Sequence, residues 1–337
     1  MHKFPSIGQF KNVIHEVTRK TRFAGIQDGV PIYNNVPLPT LTFTGSTKIH
    51  GTCSGIAYSK DGTLIPQSRE RELSLLSDNY GFAAYVLKHQ DFWRAVCSEI
   101  IHDNDHVIIF GEWAGTGIQA KVAVSQLPKR FYIFAIEFIK EGIKDFWVDC
   151  DDLNKYVPEC INEEVGAYTI SQFPTWSIDI DFNSPELVQN KLIELTEEVE
   201  RECPVGKYFG ISSIGEGIVW THTSDIGHLS FKVKGEQHQN SKIKTLAPVD
   251  EQAYAQAREF AETFVTESRL EQGLFVMKNE MQLEVDIKNL GAFIKWIVSD
   301  VIKEESNAML QSDLNPKKVA QEISKLARNW FIKNNVY

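Results

Sequence analysis

The sequence has few cysteines and lacks a long apolar run. The five cysteines form no CxxC pair, so neither a disulfide framework nor a zinc site is expected. No stretch of about 18 apolar residues is present, which argues against a transmembrane helix and a membrane partner. The opening residues, MHKFPSIGQFKNVIHEV, have no apolar signal core. We therefore expect a reduced, cytoplasmic protein of 337 residues.

Charge is unevenly distributed along the chain. Acidic residues outnumber lysine and arginine by 45 to 35, giving a net charge of −10 at neutral pH. This balance argues against a broadly basic nucleic-acid coat. A local basic groove remains compatible with it, because local potential and net charge are separate quantities. One basic run, FKVKGEQHQNSKIK, carries Lys232, Lys234, Lys242 and Lys244.

Strand patterns dominate the chain before Leu246. They alternate apolar and polar residues, or are dense in β-branched and aromatic ones: TLTFTG, SGIAYS, HVIIFGEWAG, RFYIFAIEFI, GEGIVWTH and HLSFKVKG. Helical spacing occurs in FAAYVLKHQDFWRAVCSEII and again after Ser184, an N-cap residue followed by Pro185. Residues 145–183 give no clear pattern. We predict an α+β domain over residues 1–245.

The remaining part of the chain shows only helical patterns. These are DEQAYAQAREFAETFVTESRLEQG, LGAFIKWIVSDVIKEE and PKKVAQEISKLARNWFIK. Asn315 and Pro316 mark the start of the last one. We predict a small all-α domain over residues 246–337.

Chemically informative residues recur in order within the first domain. The segments are KIHG, FGEWAG, FYIFAIEF, GEGIV and FKVK, and they carry Lys48, Glu112, Glu216, Lys232 and Lys234. Taken singly, each has an ordinary interpretation: a solvated loop lysine, a strand-end carboxylate, or lysines on an edge strand. Their order, on or beside predicted strands of one domain, favours a single site.

This order resembles that of the covalent nucleotidyltransferases, which are ATP-dependent RNA and DNA ligases and mRNA capping enzymes. The sequence is most similar to the RNA ligase 2 family of bacteriophages, in which FGEWAGTGIQ recurs almost unchanged; the resemblance covers about residues 40–240. It implies an ATP-grasp-like nucleotidyltransferase domain of antiparallel sheets with flanking helices, followed by a small helical domain. DNA ligases and capping enzymes carry a β-barrel there instead.

The resemblance also implies a reaction and roles for individual residues. Lys48 would attack ATP and form a lysine–AMP intermediate; AMP would then pass to a 5′-phosphate, which a 3′-hydroxyl attacks. A lysine must first lose its proton, and because its reference pKa is about 10.4, burial and neighbouring positive charge have to lower that value. The nucleotide-binding residues implied are Thr47, Ile49, His50, Arg69, Glu112, Phe134, Glu216, Lys232 and Lys234, with Arg71 as the alternative to Arg69.

Three positions depart from the family pattern, one of them being Thr47, which precedes the lysine where the family often has glutamate. Ala135 stands where the family has an aspartate after the aromatic residue, and Cys53 replaces an asparagine. Side chains two apart on a strand point the same way, so we expect Glu137 to supply the missing carboxylate. Glu216 and Glu137 are then the expected metal ligands, for magnesium with manganese as the alternative.

The partner implied is a nicked RNA duplex, either all RNA or an RNA/DNA hybrid, bound by a monomer in the cytoplasm, or in the host cytoplasm if the source is viral. Two other functions stay open at this point. One is a non-catalytic nucleic-acid-binding protein on the same scaffold, which would not require a nucleophile. The other is a capping-type guanylyltransferase, which the helical C-terminal region disfavours.

Overall fold

The computed structural model describes residues 1–27, 30–34, 36–143, 145–150, 152–157, 162–238, 246, 248–312 and 314–335. Lys242, Lys244 and the boundary predicted after residue 245 fall outside the described residues. Contacts divide the chain into two compact units, one formed by Met1–Thr21 and Leu38–Ala247, the other by Arg22–Pro37 and Pro248–Tyr337. Residues 22–37 thus group with the C-terminal helices.

Among the described residues, the first unit combines runs of strands with helices, whereas helices predominate in the second. The strands are β1 (Phe23–Gln27), β2 (Val30–Tyr33), β3 (Thr40–Thr47), β4 (Thr52–Ser59), β5 (Leu64–Ser68), β6 (His106–Ala114), β7 (Arg130–Ile139), β8 (Phe146–Val148), β9 (Ala167–Thr169), β10 (Thr175–Asp181), β11 (Gly217–Ser224) and β12 (Gly227–Lys234). The helices are α1 (Phe10–Arg22), α2 (Phe82–Lys88), α3 (Gln90–Ile100), α4 (Leu153–Tyr156), α5 (Gln189–Arg201), α6 (Pro204–Tyr208), α7 (Glu251–Phe264), α8 (Glu267–Asn279), α9 (Leu290–Glu304), α10 (Ser306–Gln311) and α11 (Pro316–Asn335).

Two sheets build the first unit. One has the order β10–β3–β11–β12 and is antiparallel throughout. The other runs β5–β4–β6–β7–β8, also antiparallel, with β9 paired in parallel to β7. The predicted α+β class with antiparallel sheets is therefore confirmed, β9 being the exception.

Each sheet buries one face under helices. Against the four-stranded sheet, Val17 of α1 and Leu195 of α5 pack with Phe43, Trp220 and Phe231 in one apolar cluster. The six-stranded sheet is covered in the same way by α2 and α3, whose apolar residues belong to a second cluster. The opposite faces of both sheets are left to line a cavity.

Two predicted helical segments are interrupted. The segment that begins at Phe82 is broken at His89, whose φ of −109° and ψ of 26° are not helical. The segment after Pro248 is broken at Thr266, whose side chain accepts a hydrogen bond from the Arg269 backbone N–H at 3.3 Å and so starts a new helix. The helix predicted from Ser184 opens with a 3₁₀ turn over Pro185–Val188 before α5.

In the second unit, the β1–β2 hairpin is antiparallel and the helices enclose their own core. Phe260, Met277, Phe293, Ile297 and Phe331 are among its buried residues. The Asn315 side chain accepts a hydrogen bond from the Lys317 backbone N–H at 3.0 Å, as expected of the cap of α11. Within the described residues, none of the helices is both long enough and apolar enough to cross a membrane.

Candidate active site

Lys48 and Glu216 lie side by side because their strands are neighbours. Lys48 directly follows β3, and Glu216 directly precedes β11. The Lys48 backbone N–H donates to the Gly217 carbonyl at 2.8 Å, which extends the β3–β11 pairing to the site. Gly217 has φ = +147°, and a Cβ there would lie 2.2 Å from the Val233 carbonyl oxygen, so only glycine fits this junction.

The Glu216 carboxylate is the centre of a cluster of nitrogen donors. Its side chain is 1% exposed. Oε2 accepts from Lys48 Nζ at 2.7 Å and from His50 Nδ1 at 3.0 Å. Oε1 lies 2.6 Å from Lys234 Nζ. A buried carboxylate remains ionised only when cations or hydrogen-bond donors of this kind surround it.

The same donors determine how Glu216 titrates. Burial by itself would raise the pKa of the Glu216 carboxyl, but the hydrogen bond from His50 and the charge of Lys48 outweigh that effect, with Lys234 adding to them. The pKa is thereby held well below its usual range, so Glu216 is an anion at neutral pH. It keeps the Lys48 amine oriented and provides the nearest acceptor for its proton.

Lys232 and Lys234 project from the same side of β12, two residues apart. Lys234 contacts Glu216, whereas Lys232 lines the cavity between the sheets. Burial lowers the pKa of the Lys232 amine, and the charges of Lys48 and Lys234 lower it further. Strand β12 thus places the Lys234 amine against the Glu216 carboxylate and the Lys232 amine in the lining of the cavity.

The cavity has a volume of about 380 Å³ and lies between the facing sides of the two sheets. Of the predicted site residues, the structure places seven in its walls: Thr47, Lys48, Ile49, Arg69, Glu112, Phe134 and Lys232. The Thr47 hydroxyl oxygen is buried and has no hydrogen-bond partner within the described part of the chain. Such a group is available to a bound ligand, since buried hydroxyls are normally paired.

Glu112 belongs to the part of the cavity wall that the six-stranded sheet forms. It lies on β6 opposite Cys53 of β4, and its Oε1 accepts from the Gly51 backbone N–H at 3.1 Å. Burial raises the pKa of the Glu112 carboxyl to about 7, although the charge of Lys48 and the Gly51 hydrogen bond act in the opposite direction. A carboxyl in this position can accept hydrogen bonds from ligand hydroxyl groups.

The two candidate arginines differ in location. Arg69 lines the cavity, and its Nη2 contacts the Ser6 hydroxyl. Arg71 instead donates to the Ser77 carbonyl and hydroxyl, each at 2.6 Å, and to the Asp78 carbonyl at 3.1 Å. Arg71 therefore stabilises a turn, and Arg69 is the arginine positioned to meet a ligand.

His50 and Glu137 lie apart from the lining of the cavity. His50 bonds to Glu216, so its ring acts on the carboxylate. Glu137 is 5% exposed on β7, and its Oε2 has no partner among the residues described. Burial, together with the charge of Asp145, raises the pKa of Glu137 to about 7. Its role as a metal ligand stays a prediction.

The site offers one carboxylate for a divalent cation, so further ligands would have to come from the substrate and water. The described residues contain no group of three or more His, Cys, Asp or Glu side chains able to hold a metal. Magnesium, however, is usually bound by one or two carboxylates together with substrate phosphates and water. Glu216 provides one carboxylate beside the cavity, which suits a metal that arrives with a nucleotide.

Several cavity residues were not identified from the sequence. Asp149 and His228 also line the cavity, and the Thr223 hydroxyl donates to Asp149 at 2.6 Å. His228 lies four residues before Lys232 on β12, so strand alternation could have placed it on the cavity side. Asp149 falls in the stretch without a pattern. The N-terminal residues Phe4, Pro5 and Ile7 also line the cavity.

Comparison with known proteins gives one family match. The family model described as RNA ligase matches residues 41–234, more than half of the chain. These residues include every candidate site residue described above except the N-terminal ones. A search of curated proteins found no match to this chain.

Solved structures of RNA ligases are similar at low sequence identity. A Naegleria gruberi RNA ligase with PPi is 14% identical with a TM-score of 0.43, and a mutant of it with ATP and Mn is 15% identical with a TM-score of 0.46. Each match covers 71% of this chain and 57% of that one, so the chain spans little more than half of those ligases. An archaeal ATP-dependent RNA ligase is 12% identical, with 100% and 84% coverage and a TM-score of 0.39.

Proposed function

Because the chain belongs to the RNA ligase family, we propose that it is an ATP-dependent ligase that seals 3′-hydroxyl/5′-phosphate nicks in duplex RNA or in RNA/DNA hybrids. The observation that carries this proposal is the Lys48–Glu216–Lys234 cluster, which adjoins a cavity between two sheets. A nucleophilic amine, an anionic proton acceptor and cations for phosphate groups are what adenylyl transfer requires.

In the first step, the Lys48 amine loses a proton and attacks the α-phosphorus of ATP. A nitrogen–phosphorus bond forms, the bond from the α-phosphorus to the bridging oxygen breaks, and pyrophosphate leaves. Glu216, in contact with the amine at 2.7 Å, receives the proton. Its low pKa makes this transfer unfavourable until the charge of the incoming phosphates offsets that of Lys234.

In the second step, a 5′-phosphate oxygen attacks the adenylyl phosphorus, the bond to the Lys48 nitrogen breaks, and the amine regains a proton. In the third step, the 3′-hydroxyl oxygen attacks the activated 5′-phosphate, the bond from that phosphorus to the AMP oxygen breaks, AMP leaves, and the hydroxyl proton passes to solvent. Lys232 faces the cavity, where its charge stabilises the phosphates in each transition state. Arg69 is the further cation on that wall.

The remaining cavity residues bind and orient the nucleotide. Glu112 accepts hydrogen bonds from the ribose hydroxyls, and Phe134 packs against the base. Thr47 and Ile49, on either side of the nucleophile, complete this wall. Glu216 would hold magnesium, or manganese, together with the ATP phosphates; when bound, the metal neutralises phosphate charge.

A covalent labelling experiment tests the function. The protein is incubated with magnesium and α-³²P-labelled ATP or GTP and then run on a denaturing gel. We expect label from ATP that Lys48→Ala abolishes and that Lys60→Ala, a change at an exposed lysine, leaves intact. Label from GTP would indicate a capping-type guanylyltransferase, and no label would indicate a nucleic-acid-binding protein. Sealing of nicked RNA and RNA/DNA duplexes then tests the substrate.

A further inference from the structure

The N-terminal residues 1–9, here called the strap, connect the two sheets of the first unit across the cavity. At one end, the His2 carbonyl accepts a hydrogen bond from Gln67 Nε2 on β5 at 2.6 Å. At the other end, Gly8 forms a parallel bridge with Phe231 on β12, and its carbonyl accepts from the Lys232 backbone N–H at 3.1 Å. Residues between these anchors therefore have to pass over the cavity.

Phe4 is the residue of the strap that is most deeply packed. It is 8% exposed and lines the cavity. Its ring meets that of Phe134 edge to face at 4.8 Å, and the rings of Phe110 and Trp147 lie 5.3 and 5.7 Å away. This geometry is the favourable one for aromatic pairs. Phe4 and Phe134 therefore form adjoining parts of the apolar lining of the cavity.

Three cavity residues contact the strap independently. Phe134 touches Phe4, the Arg69 guanidinium contacts the Ser6 hydroxyl, and the Lys232 backbone bonds to Gly8. Each of the three also lines the cavity. An N-terminal segment that only covered the outer surface would not be expected to contact three residues that line the cavity.

We propose that the strap forms part of the nucleotide site, with Phe4 as a ligand-contacting residue that limits where the base can lie against Phe134 and thereby sets the affinity for ATP. This inference rests on the proposed function. Apolar and edge-on contacts of this kind suit a flat nucleobase, and they exclude water from its faces. Residues 1–3, in contrast, contact residues that do not line the cavity, as in the Lys3–Glu70 ion pair at 2.7 Å and the His2–His106 ring contact at 6.2 Å between ring centres.

The test compares two phenylalanines close together in the chain. Phe10 is 4% exposed and packs against Phe231 at 5.0 Å between ring centres, but it does not line the cavity. The ligand is α,β-methylene-ATP, which binds without adenylyl transfer, and its Kd is measured by titration calorimetry. We expect Phe4→Ala to raise the Kd at least about tenfold and Phe10→Ala to leave it within about twofold.

Phe4→Leu keeps an apolar side chain and guards against a folding defect in Phe4→Ala; we expect an intermediate Kd for it. A Kd that is unchanged in both Phe4 variants, or raised equally in Phe10→Ala, would overturn the inference while leaving the proposed function intact. If the unaltered protein binds the analogue but is not labelled by ATP, the proposed chemistry fails and the role of Phe4 is still decided by the Kd values. No binding by the unaltered protein would overturn both.

Discussion

Replacing Glu112 by glutamine should change how the stability of the protein depends on pH. The glutamine amide has nearly the same shape and can still accept the hydrogen bond from the Gly51 backbone N–H. It has no charge to desolvate, whereas burial raises the pKa of the Glu112 carboxyl from 4.5 to about 7. The folded protein therefore holds this proton more tightly than the unfolded chain does. Wild-type stability is favoured at low pH and falls as pH rises between these two values.

The expected magnitude follows from the pKa difference. Each unit corresponds to about 1.36 kcal/mol, so the full cost of ionising Glu112 is about 3.4 kcal/mol, of which about 2.5 kcal/mol develops between pH 5 and pH 8. The Glu112 side chain keeps partial contact with solvent. Solvent screening lowers the expectation to about 1 to 2 kcal/mol.

Urea unfolding of nucleotide-free protein at pH 5, 6, 7 and 8 measures this effect. We expect the free energy of unfolding of Glu112→Gln, relative to wild type, to increase steadily with pH. Glu163→Gln, at an exposed position, is the matched control and should give a nearly constant difference. A difference for Glu112→Gln that stays flat, or that decreases with pH, would refute the burial argument.

Further substitutions separate the roles within the site. Glu216→Gln removes the proton acceptor of Lys48, so labelling by ATP on a denaturing gel should fall at least about a hundredfold. Glu137→Ala should raise the magnesium concentration that labelling requires, because the buried Glu137 carboxylate has an Oε2 without a partner among the described residues; an unchanged requirement would remove Glu137 from the metal site. Arg69→Ala should raise the KM for ATP or for the 5′-phosphate strand. Arg71→Ala should mainly lower the melting temperature, because it removes the hydrogen bonds that hold the turn at Ser77. A raised KM in Arg71→Ala together with an unchanged KM in Arg69→Ala would instead make Arg71 the ligand-binding arginine.

The strands that build the site could be predicted from the sequence, because each is long enough for its side-chain alternation to show. This holds for β3, β6, β7, β11 and β12, which have 8 to 10 residues. β8 and β9 have three residues each and carry no such signal. The same stretch also holds β10, whose seven residues do alternate in burial but are not among the predicted strands. Helix α1 is not among the predicted helices, although Phe10, Val13 and Val17 have helical spacing on its buried face.

The order of the motifs predicted the residues of the site better than it predicted their contacts. Lys48, Glu216 and Lys234 converge, as a shared function would require. That His50 bonds to Glu216 instead of facing the cavity depends on side-chain geometry, which residue spacing does not encode. Phe4 could not be anticipated, because its position depends on pairing between Gly8 and β12, more than 200 residues away along the chain.

The pairing of β3 with β11 has a consequence for how the protein matures. Lys48 and Glu216 are separated by 168 positions in the chain, and their meeting requires two distant segments to find each other. A growing polypeptide that has not yet reached β11 possesses the amine but neither Glu216 nor Lys234. Such a chain would be unreactive towards ATP, and radiolabel on the protein would count only molecules that had finished folding.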